Sequence, residues 1–340
     1  MSTKITESLF TSFAPSKTFR YHRDEAPVTS LDFDDSGQFL ISSGADESMQ
    51  LYDCKSGKHV KSVLSKKYGT HLARFTHNSK NCIYASTKNE HTIRYLSLHD
   101  NTYVRYFKGH KALVNSLEVS PTSDMFISTS FDNSVRVWDF RTSNCQGYMT
   151  CRNRSICSFD PSGLVFAIGN SDTKEVGLYD CRNYDKDPFI VFDLKKFERD
   201  PVTLERSFWN KLDFSNDGRH LLIGTNYQYH YVLDSYEGEL VTKLKGHGPF
   251  KPRNYPDTGS VSFSPDGRYV FGGSGTNDVL VWDMNQLQSS VPPGKVLNPL
   301  KALKGDKATP RMVLFNPKMM MLATADNEVS MWLPDLSEAK

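Results

Sequence analysis

The sequence predicts an all-β fold: a seven-bladed β-propeller closed by its N-terminal strand. Three features carry the expectation. Seven units share one internal spacing, their first hairpin turns use the same residue types, and the last unit lacks a strand that residues near the N-terminus can supply.

Each unit opens with an alternating strand that ends at a bulky anchor. The anchors are Phe33, Phe75, Val119, Phe159, Phe214, Phe263 and Phe315. A third strand then ends, usually in an aromatic, at Tyr52, Tyr95, Trp138, Tyr179, Leu233, Trp282 and Trp332. Every anchor precedes its third-strand partner by 17 to 20 residues. Between the first two strands stand Asp35-Ser36-Gly37, Pro161-Ser162-Gly163, Asn216-Asp217-Gly218 and Pro265-Asp266-Gly267. Glycine supplies the positive φ of a tight turn, and Asp or Asn caps its own backbone there. In 28–33, Leu31 and Phe33 share one face, Val28 and Ser30 the other. Stacked blades can bury both.

In chain order the blades are expected at about 28–64, 71–107, 108–150, 155–192, 209–244, 259–287 and 309–336. After Trp332 the chain reaches Pro334 and Lys340 without a fourth strand for the last unit. The strand-like Lys17-Thr18-Phe19-Arg20-Tyr21, within about 15–22, is expected to complete that blade and remove the open edge. Residues 1–340 would then form a single domain. Three stretches break the rhythm. Residues 193–208 carry mixed charge and are expected to reach solvent, 245–258 hold basic and aromatic residues, and 288–308 contain Pro292, Pro293 and Pro299. Long loops on a rigid scaffold often carry function.

Composition narrows the function classes. Basic residues number 41 and acidic residues 39, so the net charge of +2 gives no general pull toward nucleic acid or membrane. No direct sequence-specific nucleic-acid binding is expected. There is no apolar run of about 18 residues, and Met1 to Arg20 lacks the apolar core of a signal peptide. A cytosolic or nuclear location follows as an expectation. The six cysteines form no Cys-x-x-Cys pair and read as free thiols. Walker, GxSxG and HExxH motifs are absent. Gly272-Gly273-Ser274-Gly275 leaves a strand and reads as a hairpin turn, and His71, His77 and His91 match no common metal spacing. No catalytic residue, metal or cofactor is expected.

The best unit, GHKALVNSLEVSPTSDMFISTSFDNSVRVWD from Gly109 to Asp139, resembles the WD repeat. The resemblance implies that His110, Ser128, Asp132 and Trp138 form a buried structural tetrad and not a catalytic triad. Only this unit carries the whole set. Asp46 and Asp326 hold the turn position elsewhere, whereas Asn89, Thr173, Tyr227 and Thr276 replace it in the other units. The resemblance also implies a top face, built from the loops into each first strand and the turns between second and third strands. It would present Phe131, Asn115, Arg154, Trp209, His71 and Arg311 to a partner, with Lys67 and Tyr68 as a smaller basic element. Phe131, an aromatic in a tight polar turn, is the leading anchor.

Several stretches narrow the resemblance. They include VTSLDFDDSGQFLISSGADESMQLYD from Val28, SKKYG from Ser65, RYFKGHKALVNSLEVSP from Arg105, WNKLDFSNDGRHLLIGT from Trp209 and FNPKMMMLATAD from Phe315. Together they look like the propeller subunit shared by the COMPASS (Set-type) histone methyltransferase complex and the cleavage and polyadenylation factor. That likeness implies a non-catalytic nuclear scaffold for methylation of histone H3 lysine 4. Its implied partners are the N-terminal region of a Set-type methyltransferase and other COMPASS subunits. A role in mRNA 3′-end processing or transcription termination is implied too, through the cleavage and polyadenylation factor or a phosphatase-containing termination complex. The phosphorylated tail of RNA polymerase II is a further implied ligand. The rival readings are a peptide reader or a ubiquitin-ligase substrate receptor.

Overall fold

Strands with one bulky and one small face form antiparallel hairpins, and both faces are buried once the sheets stand side by side. The computed structural model describes residues 7–335 and 337, apart from 153, 251–255, 288–293 and 306–307 and the side chain of Asp24. Within them the chain forms seven sheets. The innermost strands touch in sequence from Val28–Phe33 through His71–Phe75, Val114–Val119, Ser155–Phe159, Trp209–Phe214, Val261–Phe263 and Met312–Phe315, and the last touches the first. That cycle is the seven-bladed propeller. The turn glycines Gly37, Gly163, Gly218 and Gly267 have φ between 68° and 71°, the left-handed conformation that these tight turns require. In the first of these turns Asp34 Oδ1 accepts the Phe39 N–H at 2.7 Å.

The innermost strands are also stitched to one another. Ser30 Oγ accepts the Ala73 N–H at 2.9 Å, Asp32 the Phe75 N–H at 2.7 Å, Ser116 the Cys157 N–H at 3.2 Å and Ser262 the Phe315 N–H at 3.2 Å. Side chains of one blade thus satisfy edge N–H groups of the next. Arg74 spans three blades: it donates to Leu31 O and Leu117 O, each at 3.0 Å, and to Glu118 at 2.6 Å.

The N-terminal strand closes the ring. Phe13–Phe19 runs antiparallel to Val329–Pro334, completing the seventh sheet. Phe13 lies edge-on to Phe271 and Phe315, with centroids at 5.8 and 5.7 Å, so it joins the sixth and seventh blades. Phe19 packs 4.8 Å from Tyr52 of the first blade.

The stretches outside the repeat differ from their sequence reading. Residues 193–208 do not simply reach into solvent: they fold into Leu194–Lys196 and the helix Pro201–Arg206, with Asp200 capping the helix N-terminus. Glu198 is buried there, accepting from Tyr231 at 3.1 Å and Lys243 at 2.7 Å. In 288–308, Lys295–Leu297 adds a fifth, parallel strand to the fifth blade, and Lys301–Leu303 is the fourth strand of the sixth. The sixth blade therefore extends past 287. Pro292, Pro293 and the middle of 245–258 lie outside the described residues. Gly275, at φ 80°, turns against Gly248, whose carbonyl oxygen would lie 2.7 Å from any Cβ added there.

Two buried tetrads hold blade turns in place, one more than the sequence reading. In the third blade His110 Nδ1 lies 3.0 Å from Asp132 and Nε2 lies 2.7 Å from Ser128, whose oxygen accepts the Trp138 indole N–H at 2.8 Å. The network assigns a neutral ring that donates from Nδ1 and accepts at Nε2. Burial pushes His110 down to about 4. Burial alone would raise Asp132, but bonds from Ser134, the Lys111 N–H and His110 outweigh it and leave the carboxyl at about 2. The first blade repeats the set: His22 meets Asp46 at 2.9 Å and Ser42 at 2.8 Å, with Tyr52 3.5 Å from Ser42. Among the described residues Gly246-His247 builds no such set. The His247 ring stacks on His230, with centroids 3.7 Å apart.

Two outcomes test this account. Phe13→Ala removes the ring that joins the closing strand to two blades, and should lower stability by about 3–5 kcal/mol. A urea midpoint shift with unchanged slope is the expected reading. The second concerns pH. Burial lowers His71, His110 and His247 to about 4 and His230 well below its ordinary value. The unfolded chain therefore takes up protons below about 6.5 that the folded rings refuse. Their contribution is full above that pH and is lost as the pH falls toward 4. Asp32, raised to about 7 by burial, acts in the opposite direction, as does His77, where the Asp35 carboxylate outweighs burial; the lowered histidines, which also include His59 and His220, outnumber these two. The denaturation midpoint should stay level between about pH 7 and 8 and fall steadily below about 6.5; a midpoint unchanged at pH 5 contradicts the assignment.

Candidate partner-binding site

The third-blade tetrad aims a side chain. Its Asp132 also accepts the Lys111 N–H at 2.8 Å, and Ser130 donates to Ala112 O at 2.9 Å, so the loop into the blade and the turn after Met125–Ser130 are tied together. Asn133 reverses the chain at φ 64°. Phe131, held by its N–H to Leu113 O at 3.0 Å, stands in that turn 37% exposed. A large apolar ring on a rigid, solvent-facing turn suits an interface anchor.

Phe131 borders a depression of about 370 Å³ on the top face. Asn115, Arg154, Trp209 and Arg311 also line it, so five of the eight residues singled out from sequence converge on one concavity. They contribute unequally. Arg154 is about half exposed, with its guanidinium 4.4 Å from the Phe208 ring centroid and 3.9 Å from Asp172. Arg311 is largely buried and donates to Asp257 at 2.8 Å, lying over Phe250. Asn115 is committed to the frame: it donates to Ser155 O at 2.5 Å and accepts from Thr129 at 3.0 Å. Trp209 is buried, with its backbone N–H donated to Ser171 Oγ at 3.1 Å and the Lys174 ammonium 6.0 Å from its ring. It forms a wall rather than the projecting anchor expected from sequence. Burial lowers Lys174 to about 8, and its Nζ donates to Ser207 O at 2.5 Å.

Three expected residues lie elsewhere. His71 is fully buried, with Nε2 2.6 Å from Val114 O, and cannot touch a partner. As the first residue of its strand, it turns inward to stitch the second blade to the third. Lys67 and Tyr68 line no part of the depression and belong to an aromatic cluster on the second blade.

The structure adds residues that sequence reading passed over. Phe208 is exposed beside Arg154, and its backbone is clamped to Asn226 by bonds of 2.8 and 3.1 Å. Phe250, Pro256 and Asp257 come from the loop into the sixth blade. The pair Phe208-Trp209 was the available signal, but it sits at the end of a stretch outside the repeat. Aromatic rings, a half-exposed guanidinium and asparagine amides make this lining suited to gripping a peptide.

The comparisons fit this architecture. Residues 13–53, 101–139 and 238–283 match the family WD domain, G-beta repeat. The chain is 40% identical over 315 residues to COMPASS component SWD2 of Saccharomyces cerevisiae, covering 92% of each chain. It is 39% identical to WD repeat-containing protein 82 of Drosophila melanogaster, over 99% of each. It is 34% identical to Set1 complex component swd2 of Schizosaccharomyces pombe, over 96% of this chain and 98% of that one. With this identity over nearly the whole length, the chain belongs to the WD-repeat family that includes COMPASS component SWD2 and WD repeat-containing protein 82.

Proposed function

We propose that this chain is a non-catalytic scaffold subunit of a nuclear, Set-type histone H3 lysine-4 methyltransferase complex. Its top-face depression would hold a segment of a partner, with the N-terminal region of the methyltransferase as first candidate. The observation that carries the reading is likeness over nearly the whole chain to components of COMPASS and of the Set1 complex in two yeasts. The depression supports it, because Phe131, Phe208 and Arg154 offer contact surface on a rigid rim. A second reading is attachment to a cleavage and polyadenylation factor or a phosphatase-containing termination complex, with the phosphorylated polymerase tail as ligand. The half-exposed Arg154 guanidinium favours it, since that group matches phosphate geometry.

Affinity purification from nuclear extract, followed by mass spectrometry, tests membership. Methyltransferase subunits should co-purify; recovery of a cullin ligase alone defeats the proposal. Phe131→Ala with Arg154→Ala tests the site. Neither side chain is in the core, so the melting temperature should stay within a few degrees. Affinity for the methyltransferase N-terminal region should fall by about 30-fold or more, as for loss of a hot spot. Unchanged affinity moves the contact off the top face.

A further inference from the structure

The second blade contains a largely buried cation that, among the described residues, no carboxylate contacts. Arg94, on Ile93–Ser97, is 3% exposed. Its Nε donates to Ser86 Oγ at 2.8 Å, and its guanidinium lies 3.4 Å from the Tyr68 ring centroid, 5.2 Å from Tyr106 and 5.5 Å from Tyr103. Among the described residues its terminal nitrogens carry no hydrogen bond and no carboxylate pairs with it. Glu90, the acid that feels its charge, is engaged by Thr92 at 2.7 Å and by Lys108 at 3.6 Å. Ring faces attract a guanidinium, but a cation this deep is ordinarily matched by an anion.

The rings around it reach the surface. Tyr103 and Tyr106 are 36% and 42% exposed, and Val104 between them 49%. They belong to Thr102–Phe107, the outermost strand of a four-stranded sheet, whose outer edge no described strand covers. The fifth blade shows what such an edge accepts. Its outermost strand, Leu240–Lys245, carries a bulge at Val241 as Thr102–Phe107 does at Val104, and beyond it Lys295–Leu297 adds in parallel.

We propose that the outer edge of the second blade docks an extended acidic segment of a partner protein. The segment pairs with Thr102–Phe107 and sets a carboxylate against the terminal nitrogens of Arg94. Those two nitrogens match the two oxygens of a carboxylate, the tyrosines supply a rim, and the exposed Lys67, 5.1 Å over Tyr68, adds positive charge. Strand addition supplies affinity through main-chain bonds and the cation selects the acidic side chain. This site is separate from the top-face depression and does not rest on it.

The test uses the full chain labelled with 3-fluorotyrosine at position 103 and followed by fluorine NMR. The probes are the acetylated, amidated pentapeptide Val-Glu-Val-Glu-Val, its glutamine counterpart and its phosphoserine counterpart. The glutamate peptide should give a saturable shift, and the glutamine peptide should bind at least about tenfold more weakly. Arg94→Lys keeps the charge but loses the planar fork, and should weaken binding about 5- to 10-fold. Tyr106→Ala, at an exposed position, should weaken it similarly with an unchanged melting temperature, while Phe131→Ala should have no effect. Four results overturn the proposal: no saturable shift at millimolar glutamate peptide, equal binding of the glutamine peptide, tighter binding of the phosphoserine peptide, or loss of binding in Phe131→Ala.

Discussion

The whole ring depends on the pairing of Phe13–Phe19 with Val329–Pro334. Among the described residues no blade has a core of its own. The apolar clusters lie between neighbours: Val28, Leu31 and Tyr52 of the first blade share one with Met312, Ala323 and Met331 of the seventh. Phe10 and Phe13 share another with Phe271 of the sixth blade and Phe315 of the seventh. A blade with one partner missing leaves a full apolar face in water, so the stability of each blade is borrowed from the next. A closed ring leaves no such face, and the closing strand makes the ring closed.

Within that frame, polar groups do two separate tasks. Some are consumed by the scaffold: Arg74 joins three blades, and His110 with Asp132 ties a loop to a turn. The same bonds also position an apolar side chain for recognition. Phe131 can stand in solvent because the residue beside it is locked in the tetrad, so a buried network of neutral histidine and ionised aspartate fixes the direction of an exposed ring. Preorganisation of this kind reduces the ordering cost of binding.

The hairpin grammar was legible in sequence because each part answers a local physical demand. Positive φ asks for glycine at Gly37 or Gly218, and face-to-face stacking asks for Phe33 or Trp282 at fixed intervals. What escaped reading lacks that local demand. His22 has no glycine before it, so the first-blade tetrad is visible only once folding brings Asp46 to it. Lys301–Leu303 is three residues long and follows a long break in the repeat. Asp200-Pro201 did carry a helix-start signal, a capping aspartate before proline at the first helical position. In the site, Phe131 was legible because an aromatic is unusual in a polar turn. Loop position alone misplaced His71 and Trp209, since each opens a strand, where alternation decides whether a side chain points in or out. Phe208 and Phe250 come from segments with no repeat to be compared against.

The direction of the closing ladder has a mechanical consequence. Phe13, at the start of its strand, faces Pro334, at the end of the other, while Phe19 faces Val329 at the far end. Both chain ends therefore leave the ladder from the same side. Once Phe10 has left its core cluster, tension applied between them peels the bonds of the ladder one after another from that side, instead of shearing the whole ladder at once. A ring whose blades stabilise one another would thus yield to a pull on its ends one rung at a time.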